Sequence, residues 1–192
     1  MPIFAHTFPV AHNATYVKST TESAGYEAYR ATNPLLSLIG AANENNQFYS
    51  AIGGTTNQRF HIDLGTAKII KRIYYENGHV SGGTSTNGVK TFTFWGSNVG
   101  AAFAELTYAT DTDWTEIIAA HAHFEQHAAA DAPDPVYVTV TNSTAYRYYA
   151  FKFADNWGGA NTMILRRVIL QCERFVEPVN VIHTNIGIFG GR

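Results

Sequence analysis

The chain has 192 residues, a length typical of one domain, and 45% of them are hydrophobic, which is enough to build a core without disulfide or metal cross-links. It carries 13 lysine and arginine against 15 aspartate and glutamate residues, so its composition gives no sign of a basic surface for nucleic acid or for an anionic membrane. The single cysteine, Cys172, excludes an internal disulfide.

The amino terminus, from Met1 to His6, lacks a basic stretch followed by a long apolar core, so no signal peptide is expected. The sequence contains no run of 18 apolar residues, so no membrane insertion is expected either. Residues 1–18 are predicted to form an N-terminal arm or edge strand.

Several segments alternate between apolar and other residues in the way that a strand with one buried face requires. Phe60, Ile62 and Leu64 alternate with His61 and Asp63. The same period of two recurs twice, at Phe92 and Phe94, and at Tyr149, Phe151 and Phe153. Stretches rich in Gly, Asn, Ser and Thr separate these segments, which predicts an all-β domain rather than a parallel α/β sheet.

Three motifs occur in a characteristic order: residues 58–65, which end in Asp-Leu-Gly, residues 88–98, which end in Gly-Ser-Asn, and the Tyr-Arg-Tyr strand at residues 146–151. With a Trp-Gly-Gly loop at 157–159 and a last strand from Leu165 to Gln171, this order resembles the discoidin, or coagulation factor 5/8 type C, family. The resemblance extends to carbohydrate-binding modules and to discoidin-type domains of phage tail proteins. It implies a galactose-binding-like jelly-roll β-sandwich over residues 19–172.

A short helical insertion is predicted after residue 118. Asp113 and Glu116 could form a capping box, but the resemblance places Trp114 to Ile117 on a strand edge. We therefore expect a strand or turn up to Ile118, followed by a short helix that ends before Asp131.

Residues 173–192 are predicted to be an extended C-terminal arm. This segment contains Val179, Val181, Ile186 and Phe189, and it is too apolar for a solvated tail. The expected packing surface is the domain itself or a second copy of the chain. Strand addition at a free sheet edge would then give a homo-oligomer or a larger assembly.

Loops at one end of such a sandwich hold the sugar in related modules, where an aromatic ring stacks on a pyranose and polar groups take its hydroxyls. Trp157 is the leading candidate, because flanking glycines could leave its ring exposed; packing over the end of the core is the alternative. The predicted glycan-binding residues are Tyr26, Tyr29, Arg30, Tyr49, His79, Asn156 and Trp157.

No metal or other cofactor is predicted. His123 and His127 would lie one turn apart on a helix, but no second ligand cluster accompanies them. The resemblance implies a structural calcium near the first loop, yet Asn33 stands where the family usually has aspartate. Arg166 and Arg167 lie near the place of its glutamate, so a hard cation is disfavoured. One of these arginines could instead supply the charge, paired with Asp63 or Asp155.

No nucleophile elbow, phosphate loop or dinucleotide fingerprint is present, so the chain is predicted not to be an enzyme. Two hypotheses remain. The first is a self-assembling structural or adhesive subunit, located in a virion or an extracellular filament. The second is a carbohydrate-binding module that recognises cell-surface glycans through loop aromatics. Self-association and glycans are accordingly the expected partners.

Overall fold

The computed structural model describes residues 2–41 and 44–174, and this part of the chain is built mainly from strands. The strands are β1 Ile3–Thr7, β2 Val17–Ser19, β3 Phe48–Tyr49, β4 Gln58–Lys68, β5 Ile70–Asn77, β6 Phe92–Ser97, β7 Thr115–Ala119, β8 Val136–Thr141, β9 Tyr146–Phe153 and β10 Ile164–Arg174. A short α-helix, α1, spans Gly100–Ala104, and 3-10 turns span Ala28–Thr32 and Ser85–Asn87. None of the helices described here is long and apolar enough to cross a membrane.

The strands pair in the order β1-β10-β5-β8-β7-β6-β9-β4-β2, and β3 pairs with the start of β10. The link between β7 and β8 is short, with only Ile118↔Thr141 and Ala119↔Val140 in register. At this link the path divides into two facing layers. We call them the β5 layer, which contains β1, β3, β10, β5 and β8, and the β9 layer, which contains β2, β4, β9, β6 and β7. The predicted all-β sandwich is confirmed.

Aromatic side chains fill the space between the layers. Phe60 of β4 meets Phe48 of β3 edge to face, with the ring centroids 5.5 Å apart. Phe94 and Phe151, on neighbouring strands of the β9 layer, lie 4.8 Å apart. Burial of each such ring contributes about 1.5–3 kcal/mol. The phenylalanines at most 1% exposed are Phe48, Phe60, Phe92, Phe94, Phe124, Phe151 and Phe153.

Strand β4 is buried on both faces, whereas its alternating pattern predicts one buried face. Phe60 and Ile62 point into the core as predicted, but His61 is 0% exposed and Asp63 only 4% exposed. The reason is that α1 and the loop after it cover the outer face. The His61 ring lies 4.9 Å from that of Trp114, and its Nδ1–H donates to the Phe103 carbonyl at 3.0 Å.

The helix predicted between residues 119 and 130 is not formed, and that prediction is wrong. The chain continues from β7 as irregular extended backbone, and Phe124 N–H donates to the Lys90 carbonyl at 2.8 Å. The Phe124 ring stacks on Tyr75 with a centroid distance of 3.9 Å. Burying this ring in the core fixes the segment in an extended path. The short helix of the fold lies instead at α1.

The Gly-Ser-Asn motif has a steric explanation. The ring of Tyr146 lies directly over Gly96, so a Cβ atom at this position would collide with it. The Ser97 hydroxyl then donates to the Asp113 carbonyl at 2.7 Å and accepts from Val99 N–H at 3.0 Å. The motif thus turns the chain away from β6 without leaving backbone groups unpaired.

The ends of the described chain meet at one sheet edge. Strand β1 pairs with β10 in the register Ile3↔Arg174 and Phe4↔Glu173. Glu173 and Arg174, which were predicted to begin the C-terminal arm, therefore continue β10. The remainder of the predicted arm, residues 175–192, lies outside the described residues.

Strand β10 contains a bulge that sets the direction of two arginines. Leu165 is opposite Asn77, but Arg167 is opposite Glu76, so Arg166 is the additional residue of the bulge. As a result, Leu165 and Val168 both enter the core although they are three positions apart. Arg166 and Arg167 are directed away from it.

We predict that His61 makes stability pH-dependent. Desolvation lowers its pKa to about 4 in the folded protein, partly opposed by its hydrogen bond to Phe103, against about 6.5 in an unfolded chain. Between these pH values the unfolded chain binds more protons. The free energy of unfolding should therefore be highest above pH 6.5 and fall toward pH 4, by up to about 1.4 kcal/mol per pH unit for this one group.

Urea denaturation at a series of pH values measures this slope. His61→Gln should reduce it, while the same change at His123, whose side chain is 47% exposed, should leave it intact. A residual slope is expected from His12 and His79, because burial lowers their pKa values as well. An unchanged slope in His61→Gln would contradict the prediction.

Candidate functional site

The predicted glycan-binding residues all lie at one end of the sandwich, Tyr49 in β3, Tyr29 and Arg30 in the 3-10 turn and the others in loops. Strands β4 and β6 begin opposite the last residue of β9, and β10 begins opposite the end of β5. The segments before β4, β6 and β10 and after β5 and β9 therefore meet at this end, which we call the loop end. It holds Tyr26, Tyr29, Arg30, Tyr49, His79, Asn156 and Trp157.

Trp157 is fixed at two points and is partly exposed. Its indole N–H donates to the Phe124 carbonyl at 3.1 Å, and its backbone N–H donates to the Gly88 carbonyl at 3.2 Å. The Lys90 ammonium lies 5.2 Å from the ring centroid. The sequence left open whether this ring is exposed or packs over the end of the core. The structure shows an intermediate: the ring is anchored over the end of the core and half-buried.

Asn156 holds the loop that presents Trp157. Its side-chain NH₂ donates to the carbonyls of Gly159 at 2.9 Å and Thr162 at 3.0 Å, and its oxygen accepts from Gly158 N–H at 3.0 Å. Gly158 has a φ of 102°, a left-handed conformation that glycine adopts without strain. Asn156 is 8% exposed and fully engaged, so its prediction as a ligand-binding side chain is corrected to a positioning role.

The tyrosines form a second cluster. Tyr26 and Tyr49 meet edge to face with a centroid distance of 4.5 Å, and the Tyr49 hydroxyl accepts from the Gln47 amide at 2.9 Å. Burial raises the pKa of Tyr49 to about 12. Beside them the Arg30 guanidinium lies 5.5 Å from the Tyr29 ring centroid. These four predicted residues are all partly exposed and form two contacting pairs.

Arg30 is already engaged within the protein. Its Nε–H donates to a Glu27 carboxylate oxygen at 2.8 Å, and its NH1 donates to the Asn45 carbonyl at 2.9 Å. The hydrogen bond to Arg30 lowers the pKa of Glu27 to about 2, against the effect of burial. Arg30 thus braces the loop with two of its five N–H donors.

His79 is 0% exposed and both of its ring nitrogens are bonded within the protein, so its prediction is corrected to a structural role. Its Nδ1 accepts from Gly82 N–H at 3.1 Å, and its Nε2–H donates to the Leu38 carbonyl at 3.0 Å. The ring stacks on His127 at 4.0 Å between centroids. Desolvation and the nearby Arg166 charge lower the pKa of His79, so the neutral ring ties two loops together.

Arg166 and Arg167, which lie near the place of the family's calcium-binding glutamate, donate to loop carbonyls. Arg166 donates to the carbonyl of His79 at 2.6 Å and to those of Ile39 and Gly40 at 3.4 Å each. Arg167 donates to the Leu36 carbonyl at 2.8 Å. Two fixed positive charges thus lie among these carbonyl oxygens, an arrangement that disfavours a hard cation beside them.

The predicted partners of these arginines were wrong. The carboxylate of Asp63 forms a two-pronged ion pair with Arg147, at 2.9 and 2.8 Å. Asp155 accepts from Thr91 N–H at 2.9 Å. Arg166 and Arg167 make their hydrogen bonds to backbone carbonyls instead.

The weak metal candidates are not brought together. His123 lies beside Glu125, with Nε2 and the carboxylate oxygen 2.9 Å apart, while His127 stacks on His79. The Asn33 side-chain oxygen accepts from Leu35 N–H at 3.0 Å. Within residues 2–41 and 44–174, no group of three or more His, Cys, Asp or Glu side chains could hold a metal ion.

One neighbour of the site was missed in the sequence. Lys90 contacts the Trp157 ring because Lys90 N–H donates to the Asp155 carbonyl at 3.0 Å, which joins the two loops. Val89↔Asn156 is an isolated bridge beside it. Lys90 lies in the motif at residues 88–98. Its partner Asp155 is more than 60 positions away, so the sequence alone did not show their contact.

Several solved structures with the same fold are carbohydrate-binding modules. The family 32 module of NanJ from C. perfringens, in complex with galactose, has 12% identity and a TM-score of 0.56, with 88% of this chain and 99% of that chain covered. A fucose-binding module from Streptococcus pneumoniae has 11% identity, a TM-score of 0.53 and coverages of 82% and 90%. The lectin domain of lectinolysin, complexed with Lewis B antigen, has 14% identity, a TM-score of 0.53 and coverages of 82% and 92%.

These similarities confirm the fold that the discoidin resemblance implied, a galactose-binding-like β-sandwich. No protein-family model matches the chain, and no curated protein sequence matches it.

We predict that Arg166→Met lowers the free energy of unfolding by about 1–3 kcal/mol, because the buried His79 carbonyl loses its donor. Urea denaturation with and without calcium measures this change. Arg174→Met, at the exposed end of β10, is the matched control and should be neutral. If added calcium stabilises the unmodified protein strongly, the carbonyls are free for a cation and the assignment fails.

Proposed function

We propose that this protein is a non-catalytic glycan-binding module that takes a saccharide at the loop end through Trp157. The observation that carries the proposal is the state of this ring: it is partly exposed, yet anchored by its indole N–H and by its own backbone. A ring that is fixed before binding loses little conformational entropy when a sugar stacks on it.

Polar groups of suitable type surround the ring. The Lys90 ammonium is 5.2 Å from the ring centroid and, in the described part of the chain, has no ion-pair partner. Asn87 and Thr162 lie alongside the same loop, joined by a hydrogen bond of 3.2 Å. An aromatic platform with a few hydrogen-bonding groups at its border is the usual composition of a saccharide site.

The structural neighbours support the same class of ligand. The modules named above were solved with galactose or Lewis B antigen, or are described as fucose-binding. Glycans of this kind are displayed outside cells, so the proposed place of action is extracellular. The Tyr26 and Tyr49 pair offers a second aromatic surface at the loop end for a longer glycan.

The self-assembling subunit remains a prediction and is not taken further. It depends on the segment after Arg174, which lies outside the described residues, and the fold neighbours are glycan-binding modules rather than virion proteins. The location in a virion likewise stays a prediction.

We predict that Trp157→Ala strongly weakens saccharide binding at the loop end. The test is NMR titration of the ¹⁵N-labelled protein with galactose and fucose, following the amides of Gly88, Lys90 and Gly158. The unmodified protein should show saturable shifts at these amides, and Trp157→Ala should weaken binding there about tenfold or more, which corresponds to about 1.4 kcal/mol.

Trp95→Ala is the matched control. It also removes an indole, but one that lies on β6 with its N–H bonded to Thr93 at 2.7 Å, away from the loop end. Its binding should be unchanged. If neither sugar shifts the loop-end amides, or if Trp157→Ala binds as well as the unmodified protein, Trp157 is not the platform.

A further inference from the structure

The outer face of the β5 layer carries a cleft of about 410 Å³, separate from the residues predicted at the loop end. This volume lies within the range of about 300–1,000 Å³ that is usual for small-molecule sites. Its floor consists of side chains from neighbouring strands in register. Ile169, Tyr74 and Tyr137 form one row across β10, β5 and β8, and Arg167 lies opposite Glu76 in the next.

Two tyrosine rings provide the aromatic part of the floor. Tyr74 and Tyr137 lie 5.4 Å apart between centroids, and Tyr137 is 48% exposed. The Arg72 guanidinium packs between the rings of Tyr137 and Phe4, at 4.5 and 4.0 Å, which supports Tyr137 from the side. The floor is therefore a braced aromatic surface rather than a set of loose side chains.

The walls come from two loops. Pro34 and Leu38 precede β3, and Pro133 and Pro135 precede β8. Proline has a fixed φ, so three of these four wall residues have little backbone freedom to lose. The fold thus presents a shaped cleft where a sheet face alone would be flat.

A charged pair lies at the end of the floor. Glu76 is 1% exposed; its carboxylate accepts from the Tyr74 hydroxyl at 2.7 Å and from Asp134 N–H at 2.5 Å. Arg167 is 2% exposed, and its Nε–H has no hydrogen-bond partner among the described residues. Desolvation lowers the pKa of Arg167 to about 10.

Arg167 and Glu76 are register partners, yet no direct ion pair joins them in the part of the chain that the structure describes. The Arg167 Nε–H and the Glu76 lone pairs that Tyr74 and Asp134 leave unused therefore do not satisfy one another. A hydroxylated ligand complements both, because each hydroxyl can accept from a guanidinium and donate to a carboxylate. An anionic ligand would be repelled by Glu76, and a cationic one by Arg167.

We propose that this cleft is a second carbohydrate site, which binds one neutral pyranose unit of a glycan against Tyr74 and Tyr137, with its hydroxyls on Glu76 and Arg167. The proposal rests on the proposed function for the class of ligand only. Two sites on different faces of one domain would let the module hold two branches of a glycan, or two chains, at once.

The test uses the same labelled protein and the same sugars, galactose and fucose. We expect saturable shifts at the amides of Tyr74, Tyr137 and Arg167, with a dissociation constant that differs from that at the loop end. Tyr137→Ala should weaken binding in the cleft about tenfold or more and leave the loop-end shifts unchanged. Tyr137 is exposed, so this variant keeps the core intact.

Two further variants sharpen the result. Glu76→Gln keeps the shape of the side chain but removes the charge, and it should also weaken binding in the cleft. Thr139→Ala, the next outward position on β8, is the matched control and should bind normally. A short proline-rich peptide is titrated as well, since Tyr-lined grooves also accept such segments.

The outcomes separate the two sites. Absence of sugar-induced shifts at the cleft amides overturns the proposal, as do shifts that Tyr137→Ala leaves unaltered, or shifts seen only with the peptide. Loop-end shifts would then still support the proposed function. If sugars shift the cleft amides but not the loop-end amides, the second site is supported and Trp157 is not a sugar-binding platform.

Discussion

The bulge at Arg166 is the constraint on which both surfaces depend. In a regular strand Leu165 and Val168, three positions apart, would face opposite sides of the sheet. The bulge adds one residue, so both enter the core, and the two arginines between them are directed elsewhere. Arg166 gathers the carbonyls of the loops at the loop end, while Arg167 joins the outer face of the sheet opposite Glu76.

Burying two adjacent guanidinium groups is unfavourable unless their donors find acceptors. Desolvation lowers the pKa of both arginines, of Arg167 to about 10, and they remain charged at neutral pH. The acceptors are backbone carbonyls that the loops would otherwise leave unpaired, including those of His79 and Leu36. These hydrogen bonds fix the loops beside the start of β10 through charges that belong to the chain itself.

The strands were predictable because alternation of apolar residues is a local signal. The positions of His79 and Asn156 were not, because their burial depends on which distant loop closes over them: His79 is covered by Leu38, and Asn156 is bonded to Thr162. The helix expected after Ile118 failed for the same reason. The sequence of this segment is compatible with a helix. However, Phe124 stacks on Tyr75, 49 positions earlier, and this contact favours an extended path. The loop that carries Trp157 was predictable because adjacent glycines mark it, whereas the cleft required strand register that no single segment encodes.

Strand β5 connects the two proposed sites through its opposite faces. Tyr75 points inward, stacks on Phe124 and accepts from Glu125 N–H at 2.7 Å, so it fixes the segment whose carbonyl anchors the Trp157 indole. Tyr74 and Glu76 point outward and form the floor of the cleft. Because one paired strand positions both surfaces, each is formed before a ligand arrives. Binding at either surface therefore loses no conformational entropy through ordering a loop. Such rigidity favours the binding of small ligands such as sugar rings, for which few contacts are available to offset the entropy lost on binding.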